Sequence, residues 1–317
     1  MNILITGTGF LGECLTNKVC SSARHQVVTL SRKYNPSIKE SASQKIVEDI
    51  SNLADATEML GDIDVVIHTM ARVHIMLNND SDPIVEFRRV NVDGTLELAR
   101  RAASKKVKRF IFISSLKVNG ESTNEKPFTE QDKALPEDPY GISKMEAEDG
   151  LRAIAEETGM EVVIIRPPLI YGPGVKANFL KLIKIAALPI PLPFGAVNNK
   201  RSMVYLGNLV DFIITSIDHP AAANQTFLIS DGEDLSLTSL LKRMRAAFNR
   251  SPLLIPIPVF LFKFAGTVTG KRNVIDRLTG NLQIDSAKAR NLIGWTPPFT
   301  INEGIVNTIN AYKNKAK

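Results

Sequence analysis

Tyr140 and Lys144, in the stretch DPYGISK, stand four residues apart just behind Pro139. A helix that starts at the proline puts both side chains on one face, one turn apart. A free phenol ionises near pH 10 and is a poor acid or base at neutral pH, but a neighbouring ammonium favours its ionised form. Ser115 closes the apolar run RFIFISS upstream, where its hydroxyl can hydrogen-bond both the phenol and a substrate oxygen. Such a trio suits proton transfer to and from a hydroxyl or carbonyl oxygen.

A second group of residues points to a nucleotide. Gly7, Gly9 and Gly12 form G-x-G-x-x-G in NILITGTGFLGECLTNKV, with Phe10 and Leu11 inside the loop. A strand precedes the glycines and a helix follows them. Glycines let the backbone turn tightly and approach a pyrophosphate, whose charge rests on the helix N-terminus. An acidic residue about 20 positions further on would hold a free ribose 2′-hydroxyl. That place reads LSRK, with Ser31, Arg32 and Lys33 and no carboxylate. Two cations and a hydroxyl suit a 2′-phosphate, so the reading favours NADP(H), with NAD as the alternative. Asp49 and Ile50, after the third strand, are candidates for contact with the adenine.

The elements that must position these residues follow from periodicity. Short apolar runs at 2–6, 26–30, 45–49, 64–69, 109–115 and 161–167 alternate with amphipathic segments near 12–22, 52–60, 84–104 and 141–158. That rhythm predicts an α/β protein with a doubly wound parallel sheet. After Ile170 the pattern breaks into proline- and glycine-rich stretches, YGPGVKANF and LPIPLPFGAVNNKRS. A strand at 225–230, helices near 208–218 and 236–249, and a last helix after Asn302 follow. The expected division is a dinucleotide-binding domain at 1–174 with a return segment at 203–230. A smaller C-terminal substrate-binding lobe takes 175–202 and 231–317.

Composition narrows the function classes. The chain is 44% hydrophobic and 23% charged, ordinary for a globular protein, and its net charge of +6 is spread along the chain rather than gathered in a basic arm. A nucleic-acid partner is therefore not expected. The start has no basic region or cleavage site of a signal peptide, and the longest apolar stretches are proline-broken and short of the ~20 residues a spanning helix needs. The expected location is the cytoplasm. Cys14 and Cys20 match no zinc spacing, and no metal site is expected.

Taken together, TGTGFLG (6–12), VIHTMARVH (66–74), NVDGT (91–95), FISSLKVNG (112–120), YGISK (140–144), RPPLIYGPG (166–174), RSMVYLGNLVD (201–211) and LIGWTPP (292–298) cover nearly the whole chain. In these segments it resembles the extended short-chain dehydrogenase/reductases of the NAD-dependent epimerase/dehydratase family. The resemblance implies a Rossmann fold and a catalytic triad of Ser115, Tyr140 and Lys144. In that triad the serine orients the sugar oxygen, the tyrosine moves its proton and the lysine grips the nicotinamide ribose. It also implies that Pro167 packs near the nicotinamide, that His68 and Ala71 lie along the cofactor, and that Asn91 braces the central helix. His68 reads equally well as a buried strand histidine.

For substrate, the resemblance implies a nucleoside diphosphate sugar in the C-terminal lobe. Arg201 would pair with the diphosphate, Asn178 and Arg277 would serve the nucleotide end, and Lys117 would lie close to the sugar. A homodimer through the helices at 84–104 and 141–158 is implied as well. Three departures matter. The glycine loop is one residue shorter than the family's usual T-G-x-x-G-x-x-G. Leu116 and Lys117 stand where sugar 4,6-dehydratases carry an acidic pair, so no acid is placed to expel the 6-hydroxyl. Asn119 stands where relatives commonly have tyrosine. Three activities remain: reduction of a UDP-4-keto-6-deoxy-N-acetylhexosamine for surface polysaccharide synthesis, which LSRK favours; 4-epimerisation of a UDP-hexose; and non-catalytic NADP(H) sensing.

Overall fold

The strands at the centre of the molecule are apolar throughout because both of their faces are covered. In the computed structural model, which describes all residues except 23, 49–55, 74–81 and 316–317, seven strands form one parallel sheet. They are β1 (Asn2–Thr6), β2 (Gln26–Ser31), β3 (Ala42–Ile46), β4 (Val65–His68), β5 (Arg109–Ile113), β6 (Glu161–Arg166) and, after two strands outside this sheet, a strand at Thr226–Leu228. The two outside strands, β7 (Leu169–Tyr171) and β8 (Met203–Tyr205), make a separate parallel pair, so Thr226–Leu228 is β9. The order across the large sheet is β3-β2-β1-β4-β5-β6-β9.

Alternate side chains divide the core in two, as the period of a strand requires. Ile3, Ile5, Val65, Ile67, Ile111 and Ile113 share one cluster with Leu11, Leu15 and Val19 of the helix Phe10–Ser21 and with the helix Leu206–Thr215. Leu4, Val66, Phe110 and Phe112 face the other side, against Leu98 of Gly94–Ser104 and Leu151 of Pro139–Thr158. Each such side chain contributes about 1.5–3 kcal/mol on burial. The smaller lobe has its own core, in which Phe179, Leu237, Leu241 and Ile305 surround Tyr171 and Tyr205 of the β7–β8 pair.

The chain runs outward from β1 to β3 and then returns to β4 beside β1. This reversal opens a crevice at the carboxyl ends of the strands, where ligands of such sheets bind. The glycine loop follows β1, Ala71 follows β4, Ser115 follows β5 and Pro167 follows β6, so the topology brings four of the expected segments to one edge.

Several element boundaries differ from expectation. The third strand lies at Ala42–Ile46 rather than 45–49. It is the sheet edge, so its apolar residues need not be buried, and Ile46 is exposed. The expected helix at 52–60 is seen only as Ala56–Met59 and a 3₁₀ turn at Leu60–Asp62, and 49–55 lie outside the described residues. The long helix expected at 84–104 is a helix at Pro83–Arg88, a π-turn at Arg89–Asp93 and a helix at Gly94–Ser104. The β7–β8 pair and the helices Ala177–Ala186, Val259–Val268, Arg272–Thr279 and Ala287–Ile293 were not anticipated. Among the described residues no helix is long and apolar enough to cross a membrane.

Candidate active site

Pro139 opens the helix Pro139–Thr158, and the Asp138 side chain caps it by accepting from the Gly141 N–H at 2.7 Å. The cap fixes where the first turn begins, and with it the directions of Tyr140 and Lys144. Tyr140 is half-buried, with the edge of the Phe87 ring 6.0 Å away, centroid to centroid. Ser115 is extended at the end of β5 and caps a short 3₁₀ turn, its Oγ accepting from the Lys117 N–H at 3.2 Å. Its own O–H remains to donate. Pro167 is buried and its carbonyl accepts from the Leu116 N–H at 3.0 Å, which ties the end of β6 to the Ser115 turn.

Lys144 lies one turn beyond Tyr140 in the same helix and is anchored to the sheet. Only 1% exposed, it donates from Nζ to the Ile113 carbonyl at 2.8 Å and lies 4.3 Å from the centre of the Phe112 ring. Burial pulls its ammonium down to about 7, against a smaller opposing effect of Glu148. Tyr140, in turn, is pushed up rather than down, chiefly by burial and secondarily by the Asp138 carboxylate. In the unliganded protein the phenol therefore stays protonated, and the lysine does not by itself make it acidic.

A buried polar network that sequence reasoning missed holds this helix to the sheet. Glu148, one turn beyond Lys144 and with no exposed surface, takes two bonds from Arg166 of β6, at 2.9 and 2.6 Å, and one from Ser114 at 2.5 Å. Arg152 adds a bond at 2.8 Å, and Arg166 reaches on to Asn119 at 2.9 Å. The available signal was Arg166 itself, a cation directly after the four apolar residues of EVVIIR, which demands a buried counter-charge. Asn91, buried in the π-turn, accepts from the Arg72 N–H at 2.8 Å and donates to the Arg72 carbonyl and to Ser143, both at 3.0 Å. It thus braces the segment after β4 against the Tyr140 helix.

His68 sits inside β4 with both ring nitrogens engaged, Nδ1 with Thr6 Oγ1 at 2.6 Å and Nε2 with Thr95 Oγ1 at 3.0 Å. Because the Thr95 hydroxyl donates to the Asn91 carbonyl, it accepts from Nε2–H, and Nδ1 accepts from Thr6. Burial, then the nearby Lys144, pushes the ring down to about 3, so it is neutral. Ala71 is half-buried beside this segment.

Three of the expected substrate residues come together around one carboxylate. Lys117 Nζ donates to Glu121 at 2.7 Å and also to Asp138, the cap of the Tyr140 helix. The other Glu121 oxygen pairs with Arg277 at 3.0 Å. Arg201 donates from Nη1 to the Arg277 carbonyl at 2.8 Å, and burial pulls its guanidinium below its ordinary value. Glu121 and Asp138 are thus the carboxylates that hold these cations, and sequence reasoning did not single them out. Asn178 lies apart from this cluster, exposed in the first turn of Ala177–Ala186.

The glycine loop is built to receive a ligand at one glycine and to hold itself together at the others. A side chain at Gly12 would lie 1.8 Å from the Gly7 carbonyl oxygen, and Gly7, at φ +87°, would meet the Met70 backbone at 3.1 Å. Gly9 is different: a side chain there meets nothing within 4 Å. It precedes the helix Phe10–Ser21, whose start has no side-chain cap, so the N–H groups of its first turn, which includes Phe10 and Leu11, have no capping side chain. The loop therefore fits a dinucleotide pyrophosphate. Gly9→Ala should leave the thermal midpoint unchanged and weaken NAD binding roughly tenfold by calorimetric titration, whereas Gly12→Ala should lower both. Undiminished NAD binding by Gly9→Ala would contradict this division.

Residues 3–230 match the model of the NAD dependent epimerase/dehydratase family. The chain belongs to that family. It is 44% identical over 314 residues to a UDP-glucose 4-epimerase of Vibrio cholerae, covering 98% of this chain and 95% of the relative. An N-acetyl-alpha-D-glucosaminyl-diphospho-ditrans,octacis-undecaprenol 4-epimerase of Escherichia coli O157:H7 is 26% identical, over 97% and 94%. Among solved structures, a UDP-glucuronic acid 4-epimerase from Bacillus cereus in complex with NAD superposes with a TM-score of 0.80 at 21% identity, covering all of both chains. As a member of this family the chain is a nicotinamide-dependent oxidoreductase or epimerase acting on nucleotide sugars.

One expectation is corrected by these findings. LSRK suggested NADP(H), but the Bacillus cereus enzyme holds NAD, and so do four further structures of the same fold. The local structure shows why the reading misled. Ser31 is buried and donates its hydroxyl to the Lys33 carbonyl at 2.7 Å, closing a turn, while Arg32 and Lys33 are exposed. Exposed loop cations are common without a ligand. Asp49 and Ile50 lie outside the described residues.

Proposed function

We propose that the chain is a UDP-hexose 4-epimerase that retains NAD. The observation that carries this reading is the 44% identity to the Vibrio cholerae UDP-glucose 4-epimerase over almost the full length of both chains. The reductase preferred on the sequence rested on the cations of LSRK and on the resemblance of SSLKVNGE (114–121) to the UDP-4-keto-6-deoxy-N-acetylhexosamine branch, and the first of these supports is gone with the NADP(H) reading.

In this proposal Gly7, Gly9, Phe10, Leu11 and Gly12 hold the pyrophosphate, Ala71 and Pro167 line the nicotinamide side, and Lys144 holds the adjoining ribose. His68 serves from behind the strand. Bound NAD supplies a hydride acceptor at carbon 4 that returns the same hydride to the other face of the ring. Ser115 Oγ holds the 4-oxygen, and Tyr140 Oη takes the hydroxyl proton as the carbonyl forms and gives it back as the carbonyl is reduced, so neither proton nor hydride is lost. Held by that ribose, the Lys144 ammonium would stand one helical turn from the phenol, where a positive charge favours its ionised form. Arg201 is assigned to the diphosphate and Asn178 and Arg277 to the nucleotide end, within the lobe formed by 175–202 and 231–317, while Lys117, from the larger domain, is assigned to the sugar.

The test is incubation of the purified protein with UDP-glucose and NAD, with sugar products followed by NMR. UDP-galactose should accumulate with no lasting change in nicotinamide absorbance. Consumption of NADH with a UDP-4-keto-6-deoxy sugar, and no isomer from UDP-glucose or UDP-N-acetylglucosamine, would overturn the reading in favour of the reductase. A second reading, in which the sugar diphosphate is carried on a polyprenol as in the Escherichia coli relative, is favoured by one observation: an exposed apolar helix beside Arg277.

A further inference from the structure

The helix Val259–Val268 shows two apolar faces. Val259 and Phe262 turn inward to the core of the smaller lobe, where Phe262 stacks on Phe194 at 5.5 Å. Gly266 allows a close crossing with Arg272–Thr279, since a side chain there would lie 2.8 Å from Ile275. The opposite stripe, at i, i+4 and i+8, is Phe260, Phe264 and Val268, which are 66%, 70% and 72% exposed. The neighbouring loops extend it. Leu192 and Ile255 pair through their backbones, with Ile255 N–H donating to the Leu192 carbonyl at 2.8 Å, and beside them Ile190, Leu253 and Ile255 are exposed.

A monomeric globular protein rarely leaves a continuous apolar face of this kind open to water. The charges around it say what covers it. In the sequence no acidic residue stands between Asp234 and Asp276, while Arg250, Lys263, Lys271 and Arg272 are all exposed, Arg272 with Asp276 at 3.7 Å. Aromatic and aliphatic side chains flanked by cations, on a helix too short to span, are the pattern of an element lying in the headgroup layer of an anionic bilayer. A second copy of this chain would bring the same cations against one another.

We infer that this face of the smaller lobe seats the protein on an anionic membrane surface. The placement is directional. The next helix, Arg272–Thr279, carries Arg277, whose ion pair with Glu121 reaches the Lys117 and Asp138 cluster. A seated lobe therefore turns the candidate diphosphate end of the site toward the headgroups. Membrane seating does not depend on which sugar is processed, and its test does not use catalysis.

The test is flotation of the whole protein with vesicles of phosphatidylglycerol and phosphatidylethanolamine, against vesicles of phosphatidylcholine alone. The protein should float with the anionic vesicles at low salt and much less with phosphatidylcholine. The double variant Phe260→Glu, Phe264→Glu should lose vesicle binding by roughly tenfold or more. Ile46→Glu, at an exposed apolar residue of the edge strand β3, should bind like the unaltered protein. Thermal melts and sedimentation of each variant accompany the assay, and because Phe260 and Phe264 are exposed the melts should coincide. The inference is overturned if the unaltered protein stays with the soluble fraction, or if the double variant floats as well as it does. It is equally overturned if the double variant merely converts a dimer to a monomer, which would assign the face to a second copy.

Discussion

Tyr140→Phe should lower kcat by roughly 10²–10⁴-fold, the contribution of a positioned proton-transfer group, with little change in stability or in NAD binding. The variant keeps everything but the phenol oxygen. The ring still meets the edge of Phe87, and the helix is still capped by Asp138 through the backbone of Gly141. Burial and the Asp138 carboxylate hold the phenol protonated in the free protein, so the ionised form arises only as the loaded site supplies positive charge. The measurement is steady-state epimerisation alongside calorimetric NAD titration. A loss of NAD binding equal to the loss of rate would show that the oxygen positions the cofactor rather than moving a proton.

Glu148→Ala should destabilise the protein by about 3–5 kcal/mol, the cost of leaving a buried charge without its partner. Arg166 is itself buried and would keep only Asn119, while Ser114 would lose its acceptor. The effect is also pH-dependent. Burial works against ionisation of Glu148, but the bonds and charge of Arg166, then Ser114 and Arg152, outweigh it and bring the carboxyl below its ordinary 4.5. A carboxyl depressed in the folded state contributes stability that is present above the unfolded value and is lost as pH falls through the folded one. The unaltered protein should therefore lose stability on acidification below about pH 4.5 more steeply than Glu148→Gln. Urea unfolding of both proteins across that range checks it, and parallel curves would contradict the assignment.

The contrast between Tyr140 and Glu148 shows what the chain made legible. The Tyr140–Lys144 spacing, the glycine loop and Ser115 could be read because each depends on local geometry, a turn of helix or the end of a strand. The central strands were legible for the same reason, since burial on both faces leaves unbroken apolar runs. Glu148 was not, because a carboxylate in SKMEAEDGLRAIAEE looks like one more solvated charge until β6 places Arg166 against it. The contact of Lys144 with the Ile113 carbonyl was hidden for the same reason, since that carbonyl lies at the end of β5. The edge strand β3 and the three-residue strands β7 and β8 lacked a pattern long enough to read. The meeting of Lys117 and Glu121 with Arg201 and Arg277 of the smaller lobe spans more than 150 residues of chain and has no local signature.

The claim on which the account rests is that one hydride leaves carbon 4 and returns to the same carbon. UDP-glucose carrying deuterium at carbon 4, incubated with the protein and NAD and followed by NMR and mass spectrometry, tests it most directly. The account predicts UDP-galactose with the deuterium still at carbon 4 and no label accumulating in free nicotinamide. Isomerised sugar that has exchanged its carbon-4 deuterium for solvent hydrogen, or label transferred permanently to the nucleotide, would contradict it.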